Sequence, residues 1–121
     1  MSNTQEYSQE ELLLMLYSGA IKFCDEAKEA LNNQNIELFN SKLKKIQAII
    51  NELMVTLDVK QGGEIAENLY NLYEYINRRL IQANIRKDIT ILEEVSVLLI
   101  DLKEGWEKVV NSGFSDKEGR S

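Results

Sequence analysis

None of the 121 residues is proline. No residue therefore breaks a helix outright, and the apolar residues recur at steps of three and four over stretches of about twenty, the period of an amphipathic helix. Ser8-Gln-Glu-Glu11 fits a capping box, in which the Ser8 hydroxyl accepts from the Glu11 amide and the Glu11 carboxylate reaches back to the Ser8 amide. A helix is expected from there to about Leu31, with Leu12, Leu16, Ala20, Phe23, Ala27 and Leu31 inward. Asn32-Asn33-Gln34-Asn35 ends it, because side-chain amides compete for helical backbone groups.

A second helix is expected over about Ile36 to Leu57, with Phe39, Leu43, Ile46, Ile50, Leu53 and Leu57 on one face. Gly62-Gly63 marks the clearest break. The third helix, about Glu64 to Arg86, turns Ile65, Leu69, Leu72, Tyr73, Ile76, Leu80 and Ala83 inward. Asp88 can cap a fourth, about Ile89 to Asn111, whose inward set is Leu92, Val95, Leu98, Leu99, Leu102, Trp106 and Val109. Gly113 is the expected stop. The chain is read as all-α, an antiparallel up-down four-helix bundle over residues 8–112, with a flexible N-terminal arm at 1–7 and a disordered tail at 113–121. Area scaling lets a chain of this mass bury about two-thirds of its extended surface, so one core suffices.

The residues that are missing narrow the chemistry. With no histidine, the chain has neither the commonest general base nor the Glu-x-x-His set of a di-iron bundle. The single cysteine, Cys24, forms no internal disulfide, and among Ala20, Phe23 and Ala27 it reads as a packed small hydrophobe. Gly62-Gly63 is followed by Glu64, not by the Gly-Lys-Ser/Thr of a phosphate loop. Neighbouring acids such as Glu93-Glu94 diverge on a helix and cannot flank one bond. No catalytic residue, cofactor or metal is therefore assigned, and the chain is read as a non-enzyme.

Twenty acids against fourteen bases give a net charge of −6, with the bases dispersed, which disfavours nucleic acid as a partner. The uncharged runs Leu12–Ile21 and Val95–Ile100 are far shorter than the roughly 20 residues of a membrane span, and Met1-Ser-Asn-Thr-Gln-Glu6 has no signal-peptide pattern. The expected compartment is the cytosol.

Once each inward face is assigned, apolar residues remain. Leu14 and Ile21 lie on the flank of the first helix, and Ala48 and Val55 on that of the second. The third carries Tyr70, Asn77 and Ile81 on one outer edge with Tyr75 nearly opposite, and the fourth puts Ile89, Val97 and Ile100 on its back. A lone bundle needs one stripe per helix, so a second, interrupted stripe fits grooves that dock amphipathic segments. Scattered surface apolars and wide inner stripes explain the same pattern, and both readings stand on the residues alone. Arg78-Arg79 reads as a structural pair that anchors the helix through acids on neighbouring elements.

Glu11-Leu-Leu-Leu-Met-Leu-Tyr-Ser-Gly-Ala-Ile-Lys-Phe23, then Gly62-Gly-Glu-Ile-Ala-Glu-Asn-Leu69, then Leu72-Tyr-Glu-Tyr75 with Arg78-Arg-Leu80, Ala83-Asn84 and Asp88, and finally Leu92-x-Glu94-Val95 with Leu98-Leu99, Leu102 and Trp106, resemble the flagellar secretion chaperones (FliS) in order and spacing. The likeness runs from about Ser8 to Val110. It departs at Gln9, where the family often has proline, and at Asn77, where the family tends to have an aromatic.

The resemblance implies a bacterial cytosolic chaperone that binds the disordered C-terminal segment of flagellin around the outside of the bundle. Such a chaperone prevents premature polymerisation and helps delivery to the flagellar type III export apparatus. Further partners it implies are the flagellar export gate and other flagellar regulators, with no membrane insertion, and the chain as a monomer or weak homodimer. The wheel nominates Leu14, Ile21, Ala48, Val55, Tyr70, Tyr75, Ile81, Val97 and Ile100 as client contacts. The alternative is a structural bundle that self-associates through the same stripes and has no flagellin client.

Overall fold

A computed structural model describes residues 7–57 and 59–120, with side chains over 7–57 and 62–111. Four helices follow one another: α1 (Gln9–Asn32), α2 (Ile36–Thr56), α3 (Val59–Arg86) and α4 (Ile89–Arg120). Their starts are written in local chemistry. The Ser8 hydroxyl accepts from the Glu11 amide at 3.0 Å while the Glu11 carboxylate accepts from the Ser8 amide at 2.9 Å, closing the expected capping box. Asn35 Oδ1 caps α2 by accepting from the Leu38 amide at 3.1 Å. Asp88 Oδ1 accepts from the Thr90 amide at 2.9 Å at the head of α4.

The connections differ in kind. The α1–α2 and α3–α4 turns are tight, each passing through one left-handed residue, Gln34 (φ 61°) and Lys87 (φ 53°). Lys87 Nζ reaches back to the Asn84 carbonyl at 2.5 Å, satisfying one of the carbonyls left open where α3 ends. The glycine pair expected to precede the third helix lies inside it, because α3 begins at Val59 rather than at about Glu64. Gly63, at φ 62° and ψ −136°, breaks the regular geometry of α3 in a region open essentially only to glycine. At Gly62 an added Cβ would lie 2.5 Å from the Ala66 methyl. One glycine supplies the dihedrals and the other the space.

α1 packs on α2 and α4, and α3 packs on α2 and α4, which makes a square with α1 opposite α3. The neighbours are antiparallel. Lys42 near the start of α2 pairs with Glu26 late in α1, Asn77 of α3 meets Asn51 of α2, and Trp106 late in α4 reaches Tyr17 early in α1. This is the expected up-down bundle.

Its core is Tyr17, Ala20, Cys24, Ala27 and Ala30 from α1, Phe39, Leu43, Ile46, Ile50 and Leu53 from α2, Tyr73, Ile76, Leu80 and Ala83 from α3, and Ile91, Leu92, Val95 and Leu99 from α4. The α2 stripe follows the periodicity, except that Leu57 is only partly buried. On α1 the large residues Leu16, Phe23 and Leu31 are partly buried on the flanks, while small residues and Tyr17 occupy the centre. Small side chains let α1 lie close, and Gly19 faces Ile49 of α2. Three residues assigned inward are exposed: Leu12 (46%), Ile65 (72%) and Val109 (56%). They stand in the first turn of α1, just past the Gly63 break of α3 and far along α4, where the helices no longer enclose a full interior. Trp106 is partly buried against the core.

Gly113 does not stop α4, whose backbone stays helical to Arg120, so the expected 112/113 boundary does not coincide with a helix end. Six of the seven residues of the expected arm lie outside the described residues, as do the side chains of the expected tail.

Candidate functional site

The outward residues nominated from the wheel fall into two groups. Val55 (77% exposed), Ile81 (50%), Val97, Ile100, Tyr70 and Ala48 are exposed. Leu14, Ile21 and Tyr75 are half-buried, and Ile21 packs against the core. The nine belong to four helices and are not gathered into one pocket. Ile81 lines a shallow groove of about 370 Å³ between α2 and α3, with Leu43, Lys44, Leu80 and Ile85. Beside it, Asn77 Nδ2 donates to Asn51 Oδ1 at 2.9 Å, which places an amide pair in the α2–α3 seam.

Tyr75 is committed within the fold. Its hydroxyl donates to Glu94 on α4, and Arg79 Nε bonds the other oxygen of that carboxylate at 2.9 Å. The Tyr75 hydroxyl, first, and then the Arg79 guanidinium hold Glu94 below the usual carboxylate range, against the opposing effect of burial. Arg79 thus anchors α3 to an acid on a neighbouring helix, as it was read, while Arg78 is exposed.

A larger groove, about 1060 Å³, opens where α1 and α3 begin and α2 ends, beside Trp106 of α4. Leu12, Leu13, Met15 and Leu16 of α1 face Ile65, Ala66 and Leu69 of α3 across it, with Leu57, Tyr73 and Trp106 completing the apolar lining. Its charged lining residues are Glu10 and Glu52, and no Lys or Arg among the described side chains lines it. None of the nine nominated residues does so either. The signal for it was in the sequence: Leu12-Leu13-Leu14-Met15-Leu16 is five consecutive apolar residues, which at about 100° each wrap the helix completely, so no single stripe can bury them.

A polar cluster adjoins this groove. The Tyr17 and Tyr73 hydroxyls are hydrogen-bonded to each other, and Trp106 Nε1 donates to Tyr17 Oη at 3.1 Å. Burial raises both phenols above their ordinary value. The cluster ties α1, α3 and α4 together and fixes the Trp106 indole at the groove wall.

Burial pushes the Cys24 thiol up to about 12, leaving it protonated and a poor nucleophile. Among the described residues no cluster of three or more Cys, Asp or Glu could hold a metal ion, and no described helix is long and apolar enough to cross a membrane. What the surface offers is apolar contact.

Comparison with known proteins points the same way. The model of the family described as flagellar protein FliS matches residues 1–113. The chain is 38% identical over 109 residues to the flagellar secretion chaperone FliS of Bacillus subtilis (strain 168), covering 90% of this chain and 80% of that protein. It is 40% identical over 103 residues to the FliS of Salmonella typhimurium (84% and 76% covered), and 37% identical over 105 residues to that of Campylobacter jejuni (87% and 82%).

Proposed function

The chain belongs to the flagellar protein FliS family of flagellar export chaperones, and from that premise we propose that its client is flagellin. The bundle takes the disordered C-terminal segment of flagellin onto its outer surface in the bacterial cytosol, keeps it from polymerising early and assists its delivery to the export apparatus. The observation that carries this reading is apolar side chains outside all four helices of a bundle whose core is already complete. Leu12, Met15, Val55, Ile65, Ile81, Ile85, Val97 and Ile100 are exposed while the interior is filled.

A segment that folds as it docks spends part of its contact energy on ordering, commonly ~2–5 kcal/mol. That suits broad, releasable contact and needs no nucleotide. Calorimetry with a peptide covering the C-terminal segment of the cognate flagellin tests the reading. Binding with a large negative heat-capacity change and a gain of helicity is expected, whereas no heat and no helicity gain rejects flagellin as client. Ile81→Asp is expected to weaken that binding with the melt unchanged, because Ile81 is half exposed and lines the α2–α3 groove. Light scattering gives the contrast with a self-associating bundle: the chain alone should keep one mass over concentration and shift only with the peptide.

A further inference from the structure

Trp106 is the chain's only tryptophan, and it stands at a border, packed against the core on one side and lining the large groove on the other. An indole carries a single polar atom, and where that atom points decides the character of the surface the ring presents. Here Nε1–H turns inward and donates to Tyr17 Oη at 3.1 Å, so the indole meets the groove through ring carbon. Among the described residues Tyr17 Oη is the one acceptor for that N–H. Tyr17 itself is fully buried and does not line the groove. Its hydroxyl is held from the other side by that of Tyr73, and burial raises both phenols, which keeps the cluster protonated at ordinary pH.

We propose that Tyr17 is a positioning residue for client binding: from inside the core, out of the client's reach, it holds the Trp106 N–H inward and so keeps that wall of the groove apolar for an apolar side chain of the client. The proposal rests on the flagellin reading and adds to it a buried residue that sets the polarity of a surface it does not touch. Tyr17→Phe keeps the ring and deletes only the oxygen. The Trp106 N–H is then left without an acceptor, and the indole gains by turning that atom out to water through the groove, because a buried donor with no partner is costly and a solvated one is not. A role confined to stability would leave the groove wall as it is.

The experiment compares the full chain with Tyr17→Phe, Trp106→Phe and the double variant, using a peptide of the C-terminal segment of flagellin as probe, at a temperature where all four proteins stay folded. In the free protein, Tyr17→Phe should move Trp106 emission to longer wavelength and make it easier to quench with acrylamide. Calorimetry should show peptide binding weakened about fivefold by the same change. In the Trp106→Phe background there is no indole N–H to place, so Tyr17→Phe should alter binding by less than about twofold, since residues that act through one another are not additive. Asn35→Ala lowers stability from the opposite end of the bundle and should leave emission and affinity unchanged.

Unchanged emission in Tyr17→Phe, or a shift of emission with no loss of binding, overturns the proposal. So does an equal loss of binding in the Trp106→Phe background, which would route the effect through something other than the indole. A loss in Asn35→Ala that matches the loss in Tyr17→Phe overturns it as well, by tracing both to stability. In each of these cases the unaltered chain binds the peptide and the flagellin reading stands. Absence of binding to the unaltered chain overturns that reading and the proposal with it.

Discussion

Where α1 turns into α2 and α3 into α4, aromatic side chains sit beneath lysines, Glu26 and Lys42 pair at 2.8 Å, and left-handed residues close tight turns. At the other end, two glycines loosen the start of α3, and leucine, methionine and isoleucine face outward between glutamates. What separates the two ends is whether the chain provides its own cover. The cover at the first end is confined to its aromatic rings, since Ile36, Leu38 and Ile85 stay exposed there, whereas the apolar residues of the other end share one groove.

The largest effect that can break this comparison is a pair of truncations. Phe39 is fully buried at the closed end, and Phe39→Ala should destabilise by about 3–5 kcal/mol. Ile65→Ala, at a residue 72% exposed in the groove, should stay within about 0.5 kcal/mol. Denaturant unfolding measures both. Comparable losses would mean that the groove residues are part of the core after all.

Next in size is the tie that crosses the bundle beside the groove. Tyr17→Phe removes both hydrogen bonds of the cluster, leaving the Trp106 Nε1–H and the Tyr73 hydroxyl without their partner, and should cost about 2 kcal/mol. Tyr73→Phe removes one of the two and should cost about 1 kcal/mol. Trp106 emission should shift in Tyr17→Phe and hold in Tyr73→Phe. Equal costs for the two would show that Trp106 draws nothing from its bond. At the closed end, Asn35→Ala deletes the α2 cap and should cost about 1 kcal/mol by thermal melting, with no change in Trp106 emission.

How much of this could be read in advance follows the same division. The caps at Ser8 and Asp88 and nearly the whole α2 stripe were legible, because each is decided by a few neighbouring residues or by period alone, and the glycine break was legible as an irregularity at Gly63 though not as the start of α3. The centre of α1 was legible in part: Ala20, Ala27 and the packed Cys24 followed from period, but a wheel ranks large apolar residues first while close approach of helices selects small ones, so Ala30 and Tyr17 took the interior while Leu12 is exposed and Phe23 only partly buried. The groove escaped for a related reason. A helical period assumes that every turn is enclosed, but Leu12 lies in the first turn of α1 and Ile65 just past the Gly63 break in α3, where enclosure depends on how the helices meet. Of the outward residues that the wheel nominated, Val55, Ile81 and Val97 are well exposed, whereas Tyr75 is held by Glu94, a pairing that needs the α3–α4 register and cannot be read from one helix.

That pairing also supplies the smallest and sharpest of the tests. Glu94 is held below its ordinary value by the Tyr75 hydroxyl and by Arg79, so its contribution to stability is complete above the usual carboxylate range and is lost as pH falls through the depressed folded value. Both side chains of the ion pair keep contact with solvent, which limits the contribution to below about 1 kcal/mol. Glu94→Gln should therefore unfold slightly earlier than the unaltered chain at neutral pH, and the gap should close on acidification, when the native carboxyl is itself neutral. Denaturant midpoints at neutral and strongly acidic pH measure it. The expected gap belongs to the α3–α4 seam alone, so peptide binding and Trp106 emission should be the same in both proteins. A gap that persists in acid would assign the loss to packing of the side chain rather than to its charge. A change in Trp106 emission would show that the seam and the groove do not behave as separate regions.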